Sequence, residues 1–280
     1  MSLLSKVKDY AEFVKIEHTL FALPFAYLGA WIAQRGWFGL RLFLLIALAF
    51  TGMRTVAMTL NRIIDRHIDA LNPRTAKRHL PSGRMSLKEA YAILAVSLIV
   101  YLVSAYLINE TVFKLSPIPV LIAYIYPYLK RYTCLCHYVL GLTLSLAPLG
   151  GWIAVKNSLN LDPVVFLVSL AVIFWVAGFD IIYALQDVDF DRRYGLHSVG
   201  ACFGLNFAFN LSLLNHLLFL SLISVSAILW SPYTVIGLAV IAVLIAYEHA
   251  SARRGDIGTA FFKVNAVISS VMLLTFLLTT

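Results

Sequence analysis

Charge is what this sequence has least of. Only 13% of its 280 residues are Asp, Glu, Lys or Arg while 61% are hydrophobic, and a soluble domain carries roughly a quarter charged residues. Polar groups are too few to cover that much apolar surface in water, so the surrounding solvent is lipid and no soluble domain is expected at either end. Cysteine is equally scarce. Cys134, Cys136 and Cys202 are too few and too scattered for a disulfide framework, and Cys134 and Cys136 stand closer than zinc-knuckle ligands do, so that pair reads as apolar filling. The N-terminus has no short apolar stretch with a small-residue cleavage site, so no signal peptide is expected. Its apolar runs lack the period-two alternation of a transmembrane barrel.

What fills the chain instead is a series of apolar runs of about 20 residues, the length of helix that crosses a ~30 Å hydrocarbon core. Helices are expected over 19–34, 42–64, 87–108, 115–130, 138–155, 163–183, 207–229, 232–252 and 260–279, which gives an all-α, multi-pass bundle of about nine spans. One membrane domain, 1–280, is expected, with related helical halves near 1–130 and 131–280. Ahead of the first span, Val7, Tyr10, Phe13 and Val14 recur at helical spacing opposite Lys8, Glu12 and Lys15, the pattern of a helix lying at the interface.

Basic residues sort by loop. Seventeen fall in the N-terminus and the loops on its side, and four (Arg35, Arg41, Lys114, Lys156) on the other, which places the N-terminus and the two long polar stretches 61–86 and 184–200 in the cytoplasm. The net charge of +8 then belongs to membrane topology and phosphate capture. No nucleic-acid module is visible, and no obligate protein partner is evident.

Those polar stretches carry the chemistry. Asn61, Asp65 and Asp69 stand four residues apart and share one helical face; Asp180, Tyr183, Asp187 and Asp191 do the same at the end of the sixth helix, with Asp189 pointing away to solvent. Carboxylates crowded on one face repel. Magnesium, a hard ion that bridges a few carboxylates to substrate phosphates, answers that repulsion; plain pairing with loop arginines is the alternative. Two ions are expected. Arg74, Lys77 and Arg78 follow the first series and Lys130 and Arg131 close the fourth helix, so carboxylate-held metal beside basic groups forms a diphosphate clamp. Arg54 lies in the second helix about 10 Å below Asn61 on nearly the same face. A charge at such depth needs a partner: the acid group of a substrate, or a structural tie to backbone carbonyls or Asp180. Tyr124, Tyr126, Trp175 and Tyr183 either line a substrate slot or pack.

The motifs resemble the UbiA superfamily of intramembrane prenyltransferases, most closely the branch acting on 4-hydroxybenzoate. The first signature reads Asn61, Asp65, Asp69, Arg74, Thr75, Arg78, Leu80, Pro81, Ser82, Gly83; the second reads Asp180, Tyr183, Ala184, Asp187, Asp191, then Gly195, Leu196, His197, Ser198. Arg62 and His79 depart from the family's usual Asp and Pro. The resemblance implies a nine-helix bundle around a lipid-open cavity and Mg2+-dependent transfer of a polyprenyl group from its diphosphate to an aromatic acid in ubiquinone or menaquinone biosynthesis. It assigns catalysis to Asp65, Asp69, Asp187 and Asp191, metal to these with Asn61 and Asp180, and substrate to Arg54, Asn61, Arg74, Arg78, Lys130, Arg131, Asp180 and Tyr183. A naphthoate, haem, chlorophyllide or glycerol-phosphate acceptor remains open. A transporter is disfavoured because the acidic groups sit at helix ends, not at the midplane.

Overall fold

The computed structural model describes the backbone of residues 3–259 and 263–280 and the side chains of 8–15, 19, 22–258 and 263–280. In chain order the helices are α1 (Leu3–Val14), α2 (Ile16–Gln34), α3 (Leu40–Ile64), α4 (Arg66–Leu71), α5 (Leu87–Ile108), α6 (Glu110–Leu115), α7 (Pro117–Leu129), α8 (Cys136–Lys156), α9 (Pro163–Ala184), α10 (Val188–Tyr194), α11 (Val199–Phe203), α12 (Leu205–Trp230), α13 (Val235–Arg253), α14 (Ile257–Thr259) and α15 (Asn265–Leu278). Among the described residues there is no strand.

Among the described residues, seven helical segments are long and apolar enough to cross a membrane, with α15 shorter. Every expected helix has a counterpart, although residues 260–262 of the last one lie outside the described residues, and the count of nine crossings stays an expectation. The segment holding α9 is 67% buried against 17–39% for the other six, which makes α9 the central helix. Its Trp175 is enclosed by the rings of Phe25, Phe179 and Phe219 at 5.0, 5.0 and 6.2 Å. Small residues bring α2 and α8 into backbone contact: a Cβ at Gly29 would strike the Pro148 carbonyl, and one at Gly151 the Ala26 carbonyl. Such close approach is how helices pack where lipid supplies no hydrophobic drive. Outward positions such as Leu44, Leu48, Ile99, Val103 and Leu121 are exposed and apolar, as a lipid-facing surface requires.

Helix α1 uses one face. Phe13 is buried with Tyr10 and Val14 against Ile63, Met85 and Ala90, while Lys8 and Glu12 are exposed, in keeping with the amphipathic pattern; Val7 lies outside the described side chains.

Two expectations are corrected here. The acidic faces are not single unbroken helices: α3 stops at Ile64 and Asp65 (φ −89°, ψ 3°) turns the chain into α4, while α9 stops at Ala184 and a 3-10 turn, Leu185–Asp187, leads into α10. The Asp69 amide still donates to the Asp65 carbonyl at 2.8 Å, so the spacing by fours survives the break. The second correction concerns cysteine. Cys134 and Cys202, 68 residues apart, form a disulfide, and only Cys136 is free and buried. The fold brings the α7–α8 loop against α11, a proximity that spacing along the chain does not reveal.

Candidate active site

The loop of residues 72–86 is held by its own polar groups. The Thr75 hydroxyl donates to the Asp69 carbonyl at 3.0 Å, the Arg84 guanidinium to the Lys77 carbonyl at 2.8 Å, and Ser86 with Glu89 forms a reciprocal cap that starts α5. This order allows Asn72 and Arg74 to reach across to the second motif. The Asn72 amide donates to Asp187 Oδ1 at 2.8 Å, Arg74 Nε donates to the same oxygen at 2.9 Å, and a second Arg74 nitrogen donates to Oδ2. Arg74 also donates to the Tyr183 hydroxyl at 3.0 Å with its guanidinium over that ring. The two acidic series therefore meet at one end of the bundle.

Asp65, Asp69 and Asp191 each have a cation beside them. Arg78 grips Asp69 through both oxygens at 2.6 and 2.7 Å. Arg131 donates to Asp65 Oδ1 at 3.2 Å, and the Asn61 amide donates to Asp65 Oδ2 at 3.2 Å. The Lys130 ammonium lies 3.1 Å from Asp191 Oδ1. Burial opposes charge on Lys130, but Asp191 and Asp187 outweigh it and hold its pKa above the ordinary lysine value. Burial, reinforced by Asp69, raises the Asp65 pKa to about 6 against the pull of Arg131. The Asp187 bonds outweigh desolvation and push the Arg74 pKa higher still. Asp189 is exposed, as its position on the helix predicts.

Asp180 has a different partner. His137 Nδ1 is 2.7 Å from Asp180 Oδ2 while the Val199 amide donates to His137 Nε2 at 3.3 Å. An acceptor role for Nε2 puts the ring proton on Nδ1, pointed at the carboxylate. Sequence reasoning missed both His137 and Asn72: a lone His at a helix start and an Asn before a Pro carry no periodic signal. The His197 amide donates to the Lys130 carbonyl at 2.7 Å, so the α7–α8 loop and the chain after α10 are joined by backbone as well as by the disulfide.

Below these pairs lies a polar cavity of about 490 Å³, lined by Arg54, Asn61, Arg62, Arg74, Arg78, Tyr126, Asp180 and Tyr183 among others. Asp65, Asp69, Asp187, Asp191, Lys130 and Arg131 are not among its lining residues and stand behind or beside it. A second, apolar cavity of about 210 Å³, lined by Ala26, Ile46, Phe50, Met53, Val176 and Phe179, shares Arg54, Ala57, Leu140 and Thr143 with the first. Of the four aromatic candidates, Tyr126 and Tyr183 line the polar cavity; Tyr124 is half exposed beside Tyr128, and Trp175 is core.

The oxygens of Asn61, Asp65, Asp69, Asp180, Asp187 and Asp191 are hard donors of the type magnesium takes. Asp191 Oδ2, fully buried, has no hydrogen-bond partner, which fits a donor set able to accept a cation. Asp65, Asp69, Asp187 and Asp191 are each turned toward a basic neighbour. Among the described residues, the group whose ligand atoms lie within 4.8 Å of one another is Asp9, Glu12 and His79, between α1 and the 72–86 loop.

A family model described as the UbiA prenyltransferase family matches residues 22–274. A 4-hydroxybenzoate octaprenyltransferase of Vibrio cholerae serotype O1 is 32% identical over 205 residues, covering 71% of this chain and 70% of the relative. The apo structure of a UbiA homologue from Aeropyrum pernix K1 superposes with a TM-score of 0.85 at 37% identity, covering 94% of this chain and 98% of that one. A UbiA homologue from Archaeoglobus fulgidus bound to GPP and Mg2+ has the same fold, with a TM-score of 0.68 at 20% identity over 96% of this chain and 98% of that one. This multi-pass membrane protein, with its paired acidic motifs over a cavity, belongs to the UbiA prenyltransferase family.

Proposed function

We propose that this prenyltransferase moves a polyprenyl group from an allylic polyprenyl diphosphate to an aromatic acid, 4-hydroxybenzoate, in quinone biosynthesis. The observation that carries the reading is the stacking of features along one cavity: carboxylate–cation pairs at its polar end, Arg54 deeper, and an apolar cavity sharing the Arg54 wall. The name of the Vibrio relative supports the acceptor, and the GPP and Mg2+ bound to the Archaeoglobus homologue support the donor and metal. The same proposal has the protein in the cell membrane with its N-terminus and acidic loops cytoplasmic, a reading the loop charges support.

In this proposal Asn61, Asp65, Asp69, Asp180, Asp187 and Asp191 would hold magnesium, two ions bound with the diphosphate. Magnesium supplies charge neutralisation on the departing diphosphate. Arg74, Arg78, Lys130 and Arg131 bind its oxygens, and His137 orients Asp180 by donating through Nδ1. The diphosphate leaves with the electron pair of the allylic C–O bond. The ring carbon ortho to the phenol oxygen forms the new C–C bond, and that carbon then loses its proton to water or to a carboxylate of the acidic series. Arg54 grips the acceptor's carboxylate and sets the ring between itself and the departing group. Tyr126 and Tyr183 flank it, and the surrounding apolar helices exclude water from the allylic cation.

The test is a panel of acceptors with one donor, assayed on wild type and Arg54→Ala. Carboxylated phenols should be prenylated by wild type and lose far more affinity on mutation than analogues without the acid. Equal losses for both would remove Arg54 from the acceptor site; preference for a naphthoate or glycerol phosphate would replace the acceptor.

A further inference from the structure

Arg62 is 8% exposed and lines the polar cavity, yet its Nε and Nη1 atoms, both buried, have no hydrogen-bond partner. A buried guanidinium with unmet donors is costly, and native structures retain one where something else completes it. Its neighbours make this sharper. Arg74, Arg78, Lys130 and Arg131 each stand against a carboxylate, so their charges are balanced within the protein. Arg78, Asp69, Tyr183 and Arg74 act electrostatically on Arg62, and the carboxylate among them, Asp69, is already gripped through both oxygens by Arg78. Among the described residues, Arg62 therefore brings positive charge to the cavity that no carboxylate bonds.

Depth decides which anion fits. Arg62 is three residues before Asp65, at the level of the 72–86 loop. Arg54 is eight residues earlier in α3, about 12 Å deeper at the helical rise. An acceptor carboxylate gripped by Arg54 is out of reach of Arg62. A diphosphate among Arg74 and Arg78 is not.

We infer that Arg62 is a diphosphate-binding residue, taking the terminal phosphate of the donor and holding inorganic pyrophosphate after transfer. The inference rests on the proposed function, because it assumes a diphosphate in this cavity. Its planar fork suits two phosphate oxygens, whereas a lysine offers a point charge.

The experiment measures binding of inorganic pyrophosphate, with Mg2+ present, to wild type, Arg62→Gln, Arg62→Met and Arg62→Lys in lipid nanodiscs. Thermal unfolding without ligand and 4-hydroxybenzoate KM are measured on the same proteins. Losing a charge-assisted contact should weaken pyrophosphate binding roughly 10- to 100-fold in Gln and Met, with Lys between them and wild type. The KM for 4-hydroxybenzoate should stay as in wild type. Without ligand, Arg62→Met should unfold at or above the wild-type temperature, because the change removes an unpaired buried charge; a purely structural arginine would lower it. Unchanged pyrophosphate affinity, a drop in unfolding temperature in both Gln and Met, or a shift confined to 4-hydroxybenzoate would each overturn the inference while leaving the site's function standing. Failure of wild type to bind pyrophosphate would remove the diphosphate reading itself.

Discussion

The pair Arg74–Asp187 joins the two acidic series, and a double-mutant cycle on it separates a structural tie from a working one. Side chains of Arg74 and Asp187 are 31% and 6% exposed, so the two single mutants are not equivalent. Arg74→Ala strands an enclosed carboxylate that keeps only Asn72 and should cost about 3 kcal/mol. Asp187→Ala leaves a guanidinium with water and Tyr183 still in reach, so its cost should be nearer 2 kcal/mol. The double mutant strands nothing and should cost about 3 kcal/mol, giving a coupling of about 2 kcal/mol. If Arg74 serves a phosphate and Asp187 a metal, both partners turn to ligand when Mg2+ and pyrophosphate are supplied. The coupling should then fall below about 0.5 kcal/mol. Reversible unfolding in detergent micelles, run with and without Mg2+ and pyrophosphate, measures both values. A coupling that is the same in the two conditions would refute the exchange and make the pair a structural tie.

His137→Phe should leave Asp180 without the hydrogen bond from the His137 ring and lower kcat by about tenfold or more for the loss of one charge-assisted contact, with donor KM changed less; steady-state kinetics check this, and His137→Gln, which can still donate, should recover part of the rate. Gly151→Leu forces a side chain into the Ala26 carbonyl and should destabilise by about 1–3 kcal/mol or more, whereas Gly150→Ala, with open space at its Cβ, should be near neutral; thermal unfolding compares them. Asp65, with its pKa raised to about 6 by burial and by Asp69, carries a proton below that value and an open carboxylate above it. Mg2+ affinity measured with pyrophosphate present should therefore fall as pH drops through about 6, and Asp65→Asn should flatten the profile; a flat wild-type profile would contradict this.

Much of this arrangement is legible in the chain. Apolar runs set the helices, because a hydrocarbon core admits only segments of about 20 residues with every backbone group bonded internally. The spacing by fours of Asn61, Asp65 and Asp69, and of Asp187 and Asp191, reveals a shared direction even across the breaks at Asp65 and Leu185–Asp187. Those breaks carry no Pro or Gly and are not visible in sequence. Nor are contacts between distant loops. Cys134 with Cys202, His137 with Asp180 and Asn72 with Asp187 are pairs made by the bundle, each from residues whose own surroundings in sequence look ordinary. The basic loop residues are visible as a cluster, but which carboxylate each one grips depends on the path of the 72–86 loop.

The central claim is that the acidic pairs serve metal-dependent prenyl transfer to a phenolic acid. Its most direct test incubates the purified protein in bilayers with a polyprenyl diphosphate, 4-hydroxybenzoate and Mg2+, and follows the prenylated acid and released pyrophosphate by mass spectrometry and phosphate assay. Wild type should form one pyrophosphate per prenylated ring, and both products should vanish in excess EDTA and in Asp187→Ala. Product formation that continues in EDTA, or in Asp187→Ala at the wild-type rate, would contradict the account.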